Sequence, residues 1–284
     1  ERGATTSRVA ADRDGLGGSG GKGFNAPYSL RGHSAPVFGV HLSPSADRLL
    51  SSSSDCSVRL WSMELKENVM CYKGHNFPVW DVKSSPVGHS FFATASHDRT
   101  ARIWTLERPA PVRIMAGHLS DVDCVAWHPN CNYIATGSSD KTVRFWDVQT
   151  GECVRLFTGH RGTIYSLAMA PDGRGMASAG DDGSVMLWDL GTGKRVSTLT
   201  GHVSSVWCLA YSSDGQVLAS GGGDNSLRLW RPQLASSTTD GVGVAQPPPQ
   251  PAMLKTLYTK NTPVYHVEFS RRNLLLASGP YTRG

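Results

Sequence analysis

One phrase of sequence occurs five times in this chain, opening on Gly-His and closing on a tryptophan about 28 residues later. The opening pairs are Gly32/His33, Gly74/His75, Gly117/His118, Gly159/His160 and Gly201/His202, and the closing residues are Trp61, Trp104, Trp146, Trp188 and Trp230. Successive tryptophans stand 43, 42, 42 and 42 residues apart. Units repeating at this interval bury their apolar side chains against their neighbours, so the core is distributed between units rather than gathered in one place.

Each copy carries an aspartate six residues before its tryptophan: Asp55, Asp98, Asp140, Asp182 and Asp224. Four residues before each aspartate stands a hydroxyl: Ser51, Thr94, Thr136, Ser178 and Ser220. A period of 40 to 45 residues bounded by Gly-His and Trp-Asp resembles the WD40 repeat, which supplies four strands per blade of a β-propeller. Two copies keep the full dipeptide, Trp146-Asp147 and Trp188-Asp189, and the others read Trp-Ser, Trp-Thr and Trp-Arg. The recurring residues read as a structural hydrogen-bonded chain from indole through hydroxyl and imidazole to carboxylate. A Ser/His/Asp set also suggests a hydrolytic triad, but an active site is built once and this set occurs five times.

Between these landmarks, short runs such as "VFGVHL", "VWDVKS", "VDCVAW", "IYSLAM" and "VWCLAY" alternate with turn signals such as Pro171-Asp172-Gly173. This is strand grammar, and no window has a helical period. The expected fold is therefore all-β: a propeller of five complete blades and a partial sixth, from a ring of seven. The expected boundaries are 27–68, 69–110, 111–152, 153–194 and 195–232 for the repeats, and 253–284 for a partial, degenerate blade. In that last copy Lys260 and Asn261 replace Gly-His, Val264, Val267 and Phe269 belong to a first strand, and Leu274 to Gly279 to a second. Residues 1–26 are Gly/Ser-rich and read as a disordered linker, and residues 233–252 as a Pro-rich surface loop. The first residue is Glu1, which suggests a fragment, and a seven-blade ring would need a further blade upstream and a third strand downstream. The segment "APYSLR" would then complete a blade whose inner strands come from elsewhere.

At 284 residues and 39% hydrophobic content the chain can bury a large core. Its 28 basic and 23 acidic residues are spread along the whole length, with Arg271-Arg272 the one Arg-Arg doublet, so no nucleic-acid footprint is expected. Six cysteines without a Cys-x-x-Cys pair read as reduced thiols. Cys124, His128 and Cys131 are the one metal-like grouping, and without a second ligand pair they read as packing residues. Neither "GGSGGKG" nor "GTGKR" has the spacing of a phosphate loop, and no secretory or membrane-spanning run occurs. No cofactor, metal or catalytic residue is expected.

Five residues after each histidine stand Phe38, Trp80, Asp123, Tyr165 and Trp207, with Tyr265 in the degenerate copy. These positions fall at the rim of a propeller's channel, where aromatic residues serve either as interface anchors or as packing between blades. Asp81, His97, Arg99, Asp121 and Asp181 are the charged candidates for a protein-binding footprint on the same face.

The words "YKGHNFPVWDV", "IMAGHLSDVDCVAWHPNCNYIATGSSDKTVRFWDVQTGECVRLFTGH" and "TPVYHVEFSRRNLLLASG" resemble the C-terminal propeller of the TATA-binding-protein-associated factor five family, particularly its plant and green-algal members. The resemblance spans roughly residues 28 to 280, and "SRRNLLLASG" closing a blade without Gly-His is its most particular element. It implies a nuclear, non-enzymatic scaffold of TFIID in RNA polymerase II initiation. It also implies a multisubunit complex in which the propeller packs against histone-fold subunits six and nine. A SAGA-type coactivator subunit and a peptide-reading propeller, such as a ubiquitin-ligase substrate receptor or a histone-tail reader, are the alternatives.

Overall fold

The computed structural model describes residues 28–88, 90–232 and 252–280. The linker read at 1–26 and, apart from Ala252, the Pro-rich loop at 233–252 lie outside the described residues. Within them every regular element is a strand, and no helix is long and apolar enough to cross a membrane.

Five antiparallel sheets of four strands follow one another in chain order. The first contains β1 (Val37–Leu42), β2 (Arg48–Ser53), β3 (Ser57–Ser62) and β4 (Glu67–Lys73). The second contains β5 (Val79–Ser84), β6 (Phe91–Ser96), β7 (Thr100–Thr105) and β8 (Pro111–Ala116). The third contains β9 (Val122–Trp127), β10 (Tyr133–Ser138), β11 (Thr142–Asp147) and β12 (Cys153–Thr158). The fourth contains β13 (Ile164–Met169), β14 (Gly175–Gly180), β15 (Val185–Asp189) and β16 (Arg195–Leu199). The fifth contains β17 (Val206–Tyr211), β18 (Leu218–Gly222), β19 (Ser226–Arg231) and β20 (Ala252–Tyr258), and the last pairs β21 (His266–Phe269) with β22 (Leu275–Ser278). Each fourth strand comes from the sequence that opens the next repeat, so sheets and sequence repeats are offset by one strand. Tyr28–Leu30 are not in a strand, and the Tyr28 ring lies under the Lys66 ammonium at 4.6 Å.

The core lies between sheets. Val79 and Val82 of β5 pack on Leu50, Val58, Leu60 and Tyr72 of the first sheet. Val122, Val125 and Trp127 meet Ala93, Ala95, Ile103 and Met115 in the same way, and Ile164 and Leu167 meet Ala135, Val143 and Phe157. The pattern continues through Val206 and Leu209 to Val264 and Val267. Alternate residues of each inner strand thus face the preceding sheet, as the two-residue period of a strand requires. Small residues at the second strand, Ala93, Ala135, Ala177 and Ala219, are fully buried and let the sheets approach.

This pattern stops at the seam between the last and first sheets. Val37, Val40 and Leu42 of β1 are 47%, 58% and 44% exposed, whereas their counterparts Val79 and Val82 are 0% exposed. On the other side, Leu276 is 56% exposed at the position that Ala219 fills at 0%. A hydrogen bond from the Arg271 guanidinium to the Pro44 carbonyl crosses this seam, but its apolar faces are open.

The packing predicts unequal costs for one substitution. Val82→Ala should lower stability in urea unfolding by about 2–3 kcal/mol, from lost burial plus a cavity. Val40→Ala, at the equivalent but exposed site, should stay within about 0.5 kcal/mol of the parent. Equal losses would show that the seam is closed by apolar packing in solution.

Candidate functional site

At one end of the sheets, the connection carrying Gly-His meets the turn carrying the aspartate. The relay expected from the sequence is present in all five repeats. Trp61 donates its indole N–H to Ser51 Oγ at 2.8 Å, Ser51 lies 2.7 Å from His33 Nε2, and His33 Nδ1 lies 2.8 Å from Asp55 Oδ2. The corresponding distances are 3.0, 2.7 and 2.6 Å for Trp104, Thr94, His75 and Asp98. They are 2.8, 2.7 and 2.8 Å for Trp146, Thr136, His118 and Asp140. They are 2.7, 2.7 and 3.0 Å for Trp188, Ser178, His160 and Asp182, and 2.8, 2.8 and 2.9 Å for Trp230, Ser220, His202 and Asp224. Since the indole can only donate, the hydroxyl accepts from it and donates to Nε2, which leaves the proton on Nδ1 for the carboxylate.

The aspartate gathers further donors. Asp140 accepts the Leu119 N–H at 3.0 Å, the Thr142 N–H at 2.9 Å and the Thr142 hydroxyl at 2.6 Å. Ser57, Thr100, Ser184 and Ser226 bond their own aspartates in the same way. This hydroxyl, two residues after each aspartate, was missed by the sequence reading although its spacing is as regular as that of the tetrad. The glycine of Gly-His is a matter of space, since a Cβ on Gly32 would lie 2.9 Å from Arg59 Nη1 and 3.1 Å from Trp61 Cη2.

Burial lowers the pKa of His75, His118 and His202 despite the opposing pull of their aspartates. Burial would raise the carboxyls of Asp55 and Asp140, but it is outweighed by hydrogen bonds from Ser57 and His33 in one and Thr142 and His118 in the other, which hold both at about 2. Asp98, Asp182 and Asp224 are also lowered, with burial again opposed by hydrogen bonds from their histidines and hydroxyls and by the charge of the histidine.

The rim positions share a backbone feature that the sequence did not reveal. Phe38, Trp80, Asp123, Tyr165 and Trp207 lie one position into β1, β5, β9, β13 and β17, each at the register shift of a β-bulge. A bulge inserts one unpaired residue and re-aims its side chain. Phe38 packs on Trp80 with ring centroids 4.7 Å apart, Trp80 meets His97 at 6.1 Å, and Trp207 stacks on Tyr265 at 4.8 Å. Asp123 departs from the aromatic pattern: it is 8% exposed and accepts the Ser139 hydroxyl at 2.7 Å.

Four of the charged candidates tie neighbouring sheets together. His97 Nδ1 lies 2.5 Å from Asp121 Oδ2, and Asp181 accepts the Ser205 hydroxyl at 2.7 Å. Asp81 turns into the gap between sheets, accepting the Val125 N–H at 3.2 Å with Lys83 Nζ at 3.4 Å. Arg99 is exposed on the β6–β7 turn with φ of 66°. Leu119 and Val203 project from backbones pinned by Asp140 and Asp224, 80% and 88% exposed. Around the grouping Cys124, His128 and Cys131, Cys124 Sγ points to the Ile164 carbonyl and His128 Nε2 to that of Gly173. Among the described residues no three His, Cys, Asp or Glu side chains are placed to share a metal ion.

Comparison with known proteins gives a match to the WD domain, G-beta repeat model over residues 25–62, 66–105, 109–147, 151–189 and 193–231. Transcription initiation factor TFIID subunit 5 of Caenorhabditis elegans is 43% identical over 113 residues, 40% of this chain and 17% of that protein. The protein of the same name from Arabidopsis thaliana is 53% identical over 71 residues, 25% of this chain and 11% of that protein. Nuclear distribution protein PAC1 of Ajellomyces capsulatus is 34% identical over 104 residues, 36% of this chain and 23% of that protein. The matched parts are thus under a quarter of each relative's length.

The tetrads predict a stability that falls in acid. A histidine whose folded pKa is lowered lets the unfolded chain take up a proton first, so stability should decline as pH drops below about 6.5. The depressed carboxyls contribute stability above their unfolded value of about 3.9, which is lost as pH falls toward 2. His118→Ala should cost about 1–3 kcal/mol near neutral pH, because it strands Thr136 and Asp140. Thermal melting of parent and variant across this range measures both effects, and identical melting curves would contradict them.

Proposed function

Because the chain belongs to the WD domain, G-beta repeat family, we propose that it is the propeller of a TFIID subunit 5-like scaffold, a nuclear, non-enzymatic component of RNA polymerase II preinitiation assembly. The observation that carries this reading is identity of 43% and 53% to two proteins named TFIID subunit 5, against 34% to a WD40 protein of another name. In this reading the propeller domain is 27–284, its repeats have the boundaries read from the sequence, and the ring has seven blades. Membership of the plant and green-algal branch of that family is part of the same proposal. The partners are histone-fold subunits six and nine, within a multisubunit complex.

The Gly-His face suits protein contact. It presents the tilted pair Phe38/Trp80 and the stacked pair Trp207/Tyr265 together with Leu119 and Val203, and rigidly held apolar and aromatic anchors dominate interface energies. Asp81, His97, Asp121, Asp123 and Asp181 act on that face chiefly by holding its shape. A peptide reader remains the second reading, favoured by the same aromatic pairs.

Co-expression with histone-fold subunits six and nine should give one stoichiometric peak in size-exclusion chromatography. The double variant Phe38→Ala with Tyr265→Ala should leave stability within about 0.5 kcal/mol per site, since both are partly exposed, while weakening capture at least tenfold. Separate elution of a folded propeller that binds a short peptide unaided would favour the reader instead.

A further inference from the structure

At the end opposite Gly-His, two successive gaps between neighbouring sheets are crossed by arginines. Arg113 of β8 donates Nε–H to the Gln149 carbonyl at 2.9 Å, in the turn after β11. Arg155 of β12 donates Nη2–H to the Gly191 carbonyl at 2.8 Å, in the turn after β15. Both occupy one register position, Arg113 opposite Ile103 and Arg155 opposite Phe145. In the first sheet that position is Met70, opposite Leu60, and it packs inward on the apolar cluster. The carbonyl that an arginine there would reach, three residues after Trp104 as Gln149 follows Trp146, belongs to Glu107.

The missing bridge leaves a groove. Between the first and second sheets it has a volume of about 610 Å³ and is lined by Leu60, Glu64, Leu65, Val69, Leu106 and Glu107 among others. Between the third and fourth sheets, where Arg155 is part of the lining, the corresponding space is about 270 Å³. Leu65 and Val69 are 67% and 56% exposed. Asp47, Glu64 and Glu107 edge the groove, and its one arginine, Arg48, already lies 3.7 Å from Asp47. Glu64 and Glu107 have no ion pair or side-chain hydrogen bond among the described residues. An acidic, apolar-floored groove in a chain of net charge +5 is a local inversion of sign.

We propose that this groove receives a basic segment of a protein partner, whose arginine supplies the guanidinium that Arg113 and Arg155 supply in the gaps beyond. Its planar fork can bond the Glu107 carbonyl and the Glu64 or Glu107 carboxylate together, which a lysine ammonium does less well. The flanking apolar side chains of the segment cover Leu65 and Val69. Opposite charge around the groove favours encounter and rejects acidic segments. The proposal concerns the end of the molecule away from the aromatic rim and is independent of which complex the propeller joins.

The test uses three fluorescein-labelled nonapeptides with leucine and valine flanks and a central arginine, lysine or glutamate, titrated by polarisation against the full chain. The arginine peptide should bind at least tenfold tighter than the glutamate peptide, with lysine between them. Glu64→Lys with Glu107→Lys should weaken it at least tenfold. Met70→Arg, which fills the groove from within, should do the same while melting no lower than the parent. Failure of the arginine peptide to bind, equal binding of all three peptides, or full binding by a folded Met70→Arg variant would overturn the proposal.

Discussion

A buried relay of four side chains, from an indole N–H to a carboxylate, is the interaction on which the rest of this structure depends. Each hydroxyl in it accepts one hydrogen bond and donates another, so no member can be removed without leaving a buried partner unsatisfied. The aspartate at its end collects backbone N–H groups from both sides, as Asp140 does from Leu119 and Thr142. The Gly-His connection, the turn before the third strand and the third strand itself are thereby fixed in one geometry. Packing then propagates from sheet to sheet, because each inner strand rests its valines or isoleucines on the small residues of the sheet before it.

That division of labour frees the two ends of the molecule for different tasks. At the Gly-His end, a bulge in each complete sheet lifts one residue out of the ladder. The pairs Phe38/Trp80 and Trp207/Tyr265 come to lie beside loops already immobilised by the relay. At the opposite end, two gaps are bridged by Arg113 and Arg155, and the gap between the first and second sheets, where Met70 stands in place of such an arginine, is wide, acidic and partly apolar. Rigid anchors at one end and an unfilled groove at the other suit a body that holds several proteins together.

The period of the Gly-His and tryptophan landmarks made the sheet order legible, and the fixed offsets of hydroxyl and aspartate made the relay legible, because both are set by spacing along one strand or hairpin. What could not be read depended on backbone geometry or on contacts between repeats. The bulge at Asp123 carries no residue signature, so a carboxylate turned toward Ser139 looked from the sequence like a rim charge. Asp81 likewise serves Val125, which lies 44 residues away in the chain. The arginine bridges were hidden because their acceptors are carbonyls, to which any residue contributes alike. The hydroxyl of Ser57 and its counterparts, by contrast, stands two residues after every relay aspartate and is legible in the sequence.

The most direct test of the account is hydrogen exchange at the eight tryptophan indoles of the intact chain, followed by NMR. If the relay holds each sheet, the indole protons of Trp61, Trp104, Trp146, Trp188 and Trp230 should exchange far more slowly than the rim indole of Trp207, and all five should lose protection together only when the chain unfolds. Exchange of those five at the rate of a solvent-exposed indole would contradict it.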